Sequence, residues 1–219
     1  MLSLSLSKPR GRPLRVLCLG AHSDDIEIGC GGTLLRLLAD HPTTEVHWVV
    51  FSAAGPRANE ARKSARLFLA GTKRQRVVVK RFRDGFFPYD GAKIKGAFEA
   101  LKAIPEPDVI FTHYGADRHQ DHRVISDLTW NTFRNHMILE YEIPKYDGDL
   151  GSPNLFVPLD EATRRRKTSH LWSAFVSQRR KQWFSEDTFA GLMRLRGVEA
   201  CAPSGYAEAF YARKIVIGS

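Results

Sequence analysis

The sequence predicts a single α/β domain built on a Rossmann-like, mostly parallel sheet with helices on both faces. Apolar runs of strand length alternate with helical patterns from Leu14 to Met137, and strands connected in this way pair in parallel through right-handed crossovers. The runs are apolar throughout, as expected where helices cover both faces of a sheet. The chain has 219 residues, which is enough for one medium-sized domain with a full core.

Four strand–helix pairs account for the first part of the chain. Strands are predicted at LRVLCLG, EVHWVVFS, QRVVVKRF and PDVIFTH. Helices are predicted from about Gly31 to Asp40, from Ala58 to Leu69, at GAKIKGAFEALKAI and at HRVISDLTWNTFRNHM.

The second part of the chain is less regular. The segment YEIPKYDGDLGSPNLFVPLD is rich in Pro, Gly and Asp, which indicates a long loop. Loops of that length are usually functional or disordered. Two helices are predicted, from Glu161 to Gln178 and from Glu186 to Arg196, and YAEAFYARKIVIG is predicted as a strand at the sheet edge. We assign residues 14–219 to the domain and residues 1–13 to a flexible leader.

Composition argues against several classes of protein. No stretch approaches the roughly 20 apolar residues of a membrane span. The first residues lack the apolar region and the small-residue cleavage site of a signal peptide, so a cytoplasmic location is predicted. The three cysteines, Cys18, Cys30 and Cys201, are odd in number and widely spaced, which does not indicate a disulfide framework.

The chain is basic, with 33 Lys and Arg against 24 Asp and Glu and a formal net charge of +9. Such a charge favours phosphates, nucleic acid or anionic surfaces. The clusters RRRK (164–167) and RRK (179–181) lie in helical patterns, which favours a solvated helix face. Because no nucleic-acid-binding motif is present, the predicted partner is a small molecule, and a substrate that carries phosphate remains an alternative.

A candidate site follows the first predicted strand. In open parallel sheets ligands bind at the carboxyl ends of the strands, and this strand ends at Gly20. A dinucleotide site would need G-x-G-x-x-G at this point. Instead Asp24 and Asp25 occupy the turn, and two carboxylates repel phosphate and attract a cation.

The end of the fourth predicted strand adds further ligand types to the same edge. These residues are His113, Asp117, His119, Asp121 and His122. Imidazole and carboxylate together suit divalent zinc, usually with three protein ligands and one open position. Taken singly, each residue also has a structural explanation: a lone His on the surface, an Asp pair before a helix, or Asp121 as a helix cap.

Four segments resemble the LmbE-like, or PIG-L-like, N-acetylglucosaminyl deacetylases. AHSDDIEIGCGG resembles their signature A-H-x-D-D-x-E-x-x-x-G-G, and DRHQDHR resembles their second signature, H-x-D-H. GPRANEARKSARLFLAG is similar to their R-x-x-E helix, and SGYAEAFYARK is similar to their A-E-A-F ending. Two positions depart from the pattern: Ser23 stands where the family usually has Pro, and Asp117 stands where some members have a Tyr.

The resemblance implies a zinc ion, or Fe²⁺ in its place, bound by His22, Asp25 and His122. Two neutral donors and one carboxylate leave net positive charge on the ion, which lowers the pKa of a bound water. The side chains of adjacent residues diverge, so Asp24 faces that water and serves as the general base.

His119 matches the catalytic histidine of the family, and roles are expected for residues near it and on the R-x-x-E helix. His119 is expected to stabilise the oxyanion or to protonate the departing amine. Asp121 is expected to orient an imidazole through a hydrogen bond, and Asp117 to do the same for His119. Arg62, like Arg57, is expected either to contact substrate or to form an ion pair on the helix surface.

The predicted function is a zinc-dependent hydrolase that removes an N-acetyl group from an N-acetylated amino sugar or its conjugate. One alternative is a metal-dependent hydrolase of another amide or of a phosphate ester. A second alternative is a non-catalytic module that binds an acidic polymer or nucleic acid.

Overall fold

A computed structural model describes residues 4–6 and 11–216. The strands are β1 (Arg15–Gly20), β2 (Glu45–Val50), β3 (Gln75–Val79), β4 (Val109–His113), β5 (Met137–Tyr141), β6 (Leu155–Pro158) and β7 (Ala207–Tyr211). The helices are α1 (Asp25–Asp40), α2 (Pro56–Phe68), α3 (Gly91–Leu101), α4 (Gln120–Thr132), α5 (Glu161–Ala174) and α6 (Glu186–Glu199), and a short 3₁₀ helix spans Val176–Gln178.

The strands form one sheet in the order β3-β2-β1-β4-β5-β7-β6. Strands β1 to β5 pair in parallel, whereas β7 runs antiparallel to both β5 and β6. The predicted fold class, a mostly parallel Rossmann-like α/β domain, is therefore confirmed. None of the helices among the described residues has the length and apolar character that a bilayer span requires.

Helices cover both faces of the sheet. Residues of β1 alternate between two apolar clusters: Val16 and Cys18 pack with α1, α2, α5 and α6 on one face. Leu17 and Leu19 pack with α3 and α4 on the other. Because successive side chains of a strand point to opposite faces, burial on both sides explains why the strand sequences are apolar throughout.

Helix α1 begins earlier than predicted, at Asp25 instead of Gly31, because it consists of two helical pieces joined by a kink. The kink lies at Cys30, whose φ is −140°. The carboxylate of Glu208 accepts the N–H groups of Gly32 and Thr33 at the start of the second piece. A Cβ atom on Gly29 would collide with the ring of Tyr141, so the break is packed directly against the sheet.

The C-terminal half contains more sheet than predicted. The segment expected to be one long loop contains β6, and β5 begins at Met137, which was assigned to the end of a helix. The final strand, expected at the sheet edge, lies between β5 and β6. The strands β5, β6 and β7 are only four or five residues long, so no clear periodicity marks them.

Two expectations concern charged segments. Within the RRRK cluster, Lys167 is not on a solvated face: its Nζ lies 2.6 Å from Glu208 in the core. The leader predicted for residues 1–13 falls largely outside the described residues. Of its described part, Arg12 forms an ion pair with Asp108 at 2.6 Å.

Candidate metal centre and active site

Two loops meet at the carboxyl edge of the sheet. One connects β1 to α1, and the other connects β4 to α4; β1 and β4 are neighbours that pair in parallel. Their chain directions therefore place the ends of both strands at the same edge, as strand order predicts. The loops bring His22 and Asp25 next to His122, and all three side chains are buried.

Two imidazole nitrogens and one carboxylate group from these residues form a compact triangle. Nδ1 of His22 lies 3.2 Å from Nε2 of His122. Oδ2 of Asp25 lies 3.4 Å from the former nitrogen, and Oδ1 of the same carboxylate lies 3.6 Å from the latter. Ligands about 2.1 Å from a tetrahedral zinc ion are separated by about 3.4 Å. The donor set and its spacing therefore fit one divalent ion, with a fourth position open.

Each imidazole of the triangle contacts a carboxylate through its other nitrogen. Nε2 of His22 lies 3.2 Å from Oδ2 of Asp121, and Nδ1 of His122 lies 2.9 Å from Oδ2 of Asp117. Such carboxylates fix the tautomer and the ring orientation of histidine ligands. The expectation for Asp121 agrees with this geometry. The expectation that Asp117 orients the imidazole of His119 is wrong, because its carboxylate contacts the ring of His122.

The two imidazoles differ in their affinity for protons. Burial opposes protonation of His22, but the surrounding carboxylates, Asp25 first, outweigh it and raise the pKa of His22 well above its ordinary value. Burial together with the neighbouring His113 lowers the pKa of His122 to about 3. In the absence of an ion, His22 therefore holds a proton more strongly than His122 does.

Asp24 is buried beside the triangle, at the residue that precedes α1. Its side chain makes no capping bond. Instead, Oδ1 accepts a hydrogen bond from Arg57 at 3.1 Å, and the buried Oδ2 has no hydrogen-bond partner among the described residues. Burial raises the pKa of Asp24, and the positive charge of Arg57 limits that rise. One oxygen is thus held and the other is available to accept a proton.

His119 faces the triangle from the start of α4. Its ring centroid lies 4.8 Å from that of His22 and 4.5 Å from that of His122. Nδ1 of His119 accepts the N–H of Asp121, so His119, and not Asp121, caps the helix. Burial lowers the pKa of His119. A neutral ring with this bond carries its proton on Nε2.

Arg62 does not reach the site. Its guanidinium donates to the carbonyl of Ala58 within α2, and the residue is exposed. Arg57, five residues earlier, contacts Ser23 and Asp24 instead. Both arginines lie in the segment that is similar to the R-x-x-E helix. They differ only in the direction in which their side chains leave the helix.

Asp84 and His113 also belong to the site, and of these two only Asp84 is absent from the sequence-based candidates. Oδ1 of Asp84 lies 3.1 Å from Nε2 of His22; because Asp84 follows β3, the rule that ligands lie at strand ends was the signal for it. His113 accepts the N–H of Ala21 at 2.9 Å through Nε2. The same Nε2 lies 3.1 Å from Oδ2 of Asp25, so His113 contacts both the loop that contains His22 and the carboxylate of the donor set.

A Rossmann-like sheet with histidine and aspartate donors gathered around one cation position defines a metal-dependent enzyme of the α/β class. The family model "PIG-L: GlcNAc-PI de-N-acetylase" matches residues 17–133, more than half of the 219 residues, and the chain belongs to this family. The protein is a metal-dependent N-deacetylase, and the resemblance seen in its sequence motifs is confirmed.

Solved structures with the same fold include a conserved protein, TT1542 from Thermus thermophilus, with 22% identity and a TM-score of 0.71 over 94% of this chain and 97% of that one. The N,N'-diacetylchitobiose deacetylase from Pyrococcus horikoshii has 21% identity and a TM-score of 0.61 over 90% and 83%. The 4-carboxy-2-hydroxymuconate hydratase GalB from Pseudomonas putida has 15% identity and a TM-score of 0.68 over 94% and 98%. These likenesses show the fold, and the fold alone does not select the reaction.

Proposed function

We propose that the protein hydrolyses the N-acetyl group of an N-acetylated amino sugar or its conjugate, with a zinc ion held by His22, Asp25 and His122. The donor triangle supports this most directly, because its edges of 3.2 to 3.6 Å suit one small divalent ion. The same nitrogen and oxygen donors also suit Fe²⁺. When bound, such an ion polarises the amide carbonyl and acidifies a water molecule.

Asp24 is the proposed general base. Arg57 holds Oδ1, and the buried Oδ2, which has no partner among the described residues, is free to accept the proton of the attacking water. The raised pKa of Asp24 makes it a better proton acceptor than an exposed aspartate, and the charge of Arg57 limits the rise that burial causes.

His119 is the proposed stabiliser of the oxyanion. The hydrogen bond from Asp121 to Nδ1 places the ring proton of neutral His119 on Nε2. That N–H donates to the oxygen that becomes negative as the amide carbonyl turns tetrahedral. The lowered pKa of His119 keeps its ring neutral. A neutral ring suits stabilisation of the oxyanion better than protonation of the departing amine.

Asp117 and Asp121 are proposed to orient the two imidazoles, and Arg57 replaces Arg62 as the candidate to contact substrate.

The substrate is proposed to be a small amino-sugar conjugate. A cytoplasmic location is proposed as well, in keeping with three cysteines that form no disulfide.

The experiment is a screen of N-acetylglucosamine conjugates with the zinc-loaded protein, in which released acetate and released phosphate are both measured. Acetate release by the wild type, and a loss of about 10²–10⁴ in rate in Asp24→Asn with zinc content unchanged, support the proposal. Asp40→Asn, an exposed aspartate at the end of the same helix, is the matched control. Phosphate release without acetate release would favour the phosphate-ester alternative, and normal turnover by Asp24→Asn would refute the base assignment.

A further inference from the structure

The loop between β5 and β6 reaches the proposed metal site through one lysine. Nζ of Lys145 lies 3.1 Å from Oδ2 of Asp117. The same oxygen lies 2.9 Å from Nδ1 of His122. Lys145 is therefore separated from a proposed metal ligand by a single carboxylate group.

This ion pair is shielded from water. The side chains of Lys145 and Asp117 are only 9% and 3% exposed. Lys145 also binds Asp149, whose carboxylate accepts the N–H of Arg118 at 2.7 Å. Exposed ion pairs contribute little, whereas removing one partner of a buried pair leaves an uncompensated charge. The loop and the segment before α4 are thus joined by a buried network.

Both oxygens of Asp117 are held. Oδ1 accepts the N–H of His119 at 2.7 Å, and Oδ2 faces both His122 and Lys145. A carboxylate fixed in this way keeps Nδ1 of the imidazole as a donor, so Nε2 retains its lone pair for an ion.

We propose that Lys145 is a positioning residue for the metal site. It anchors the carboxylate of Asp117, and through Asp117 it holds His122 in the orientation and tautomer that bind a divalent ion. This inference rests on the metal site of the proposed function. It gives a role to the segment that the sequence indicated only as a long loop.

The test measures metal binding without substrate. The dissociation constant for Zn²⁺ is determined by competition with a chromophoric chelator for the metal-free wild type and for Lys145→Met. We expect binding to weaken by about tenfold, the lower end of the usual effect of an outer-shell partner. The absorption spectrum of the Co²⁺ form is expected to change as well, because the position of His122 changes. Lys145→Arg retains the charge and is expected to restore most of the affinity.

Two variants serve as controls. Lys102→Met removes a lysine that pairs with Glu99 on the surface of α3, and it should leave affinity unchanged. Asp149→Asn removes the second anchor of Lys145 but keeps the ammonium beside Asp117, so its effect should be smaller than that of Lys145→Met. An equal effect of Asp149→Asn would assign the change to the loop and overturn the proposal.

Unchanged Zn²⁺ affinity and an unchanged Co²⁺ spectrum in folded Lys145→Met would also overturn it. Should Lys145→Met fail to fold, Lys145→Gln is measured by the same criterion. Because the Zn²⁺ binding measurement involves no turnover, failure of this inference and failure of the proposed function can be distinguished. If Zn²⁺ binding depends on Lys145 but no acetate is released, only the proposed function is refuted. Acetate release with Lys145-independent binding refutes only this inference.

Discussion

Nδ1 of His22 lies 3.2 Å from Nε2 of His122, although 100 positions separate the two residues in the chain. Such an approach of two imidazole nitrogens is favourable only when a proton or a metal ion lies between them, because two lone pairs repel each other. Asp25 provides negative charge at the same place. A proton and a divalent ion therefore compete for one position.

Metal affinity is expected to rise with pH. The pKa of His22 is well above its ordinary value in the metal-free protein, so the ion must displace a proton. Below that pKa the affinity should increase by about tenfold per pH unit for the release of one proton. Titration calorimetry in buffers of different ionisation enthalpy measures the proton count, and an affinity independent of pH would contradict the expectation.

Arg57 and Arg62 are expected to differ sharply although they lie on one helix. Arg57→Met removes the charge that limits the pKa of Asp24, so that pKa rises further and the base is protonated up to a higher pH. The low-pH limb of the kcat/KM profile should therefore move to higher pH. Arg62→Met, which removes only a contact within α2, is the control and should leave the profile in place. Equal effects of both variants would contradict the geometry.

His119→Ala is expected to lower kcat by about 10²–10³, the effect of losing one oxyanion donor. Its Zn²⁺ content should be that of the wild type, because the proposed ligands are His22, Asp25 and His122. Metal analysis together with kinetics decides this. Loss of zinc would instead make His119 a ligand with His22 and His122, a grouping whose donor atoms also lie within 4.8 Å of one another.

Lys167→Met is expected to destabilise the fold by about 3–5 kcal/mol, the usual cost of removing one partner of a buried ion pair. Nζ of Lys167 donates to the carbonyl of Ile28 and to Glu208, both at 2.6 Å, and so joins the two pieces of α1. Urea unfolding of the metal-free protein measures the loss. Lys95→Met, which changes a partly exposed lysine on α3, should change stability by less than about 0.5 kcal/mol.

Glu27→Gln is expected to make the metal-free protein more stable at neutral pH. Burial raises the pKa of Glu27 well above its ordinary value. For a carboxyl group shifted in this direction, stability is greatest below the unfolded-state pKa and falls as pH rises from there toward the folded-state pKa. Glutamine removes that fall. Unfolding midpoints between pH 4 and 8 measure it, with Glu106→Gln, an exposed glutamate, as the control; a destabilised Glu27→Gln would argue for an ionised side chain.

Local patterns were sufficient for much of the protein. The alternation of apolar strands and helices predicted the parallel part of the sheet, because each strand and helix carries its own periodicity. The strand-end rule then placed His22, Asp24 and Asp25 beside His119 and His122 without any knowledge of side-chain contacts. The kink in α1 could not be predicted in this way, since it depends on Glu208, which is distant in the sequence.

The sequence by itself determined the fold class, the family and the two loops that carry the candidate ligands, since these follow from patterns within single segments. Only the tertiary structure decided that Arg57 rather than Arg62 holds Asp24, that Asp117 faces His122, and that the last strand lies inside the sheet. Each of these depends on side-chain direction or on packing between distant segments. Residues such as Arg57 and Arg62 look equivalent in the sequence pattern, and only the packing of the folded chain gives their side chains different contacts.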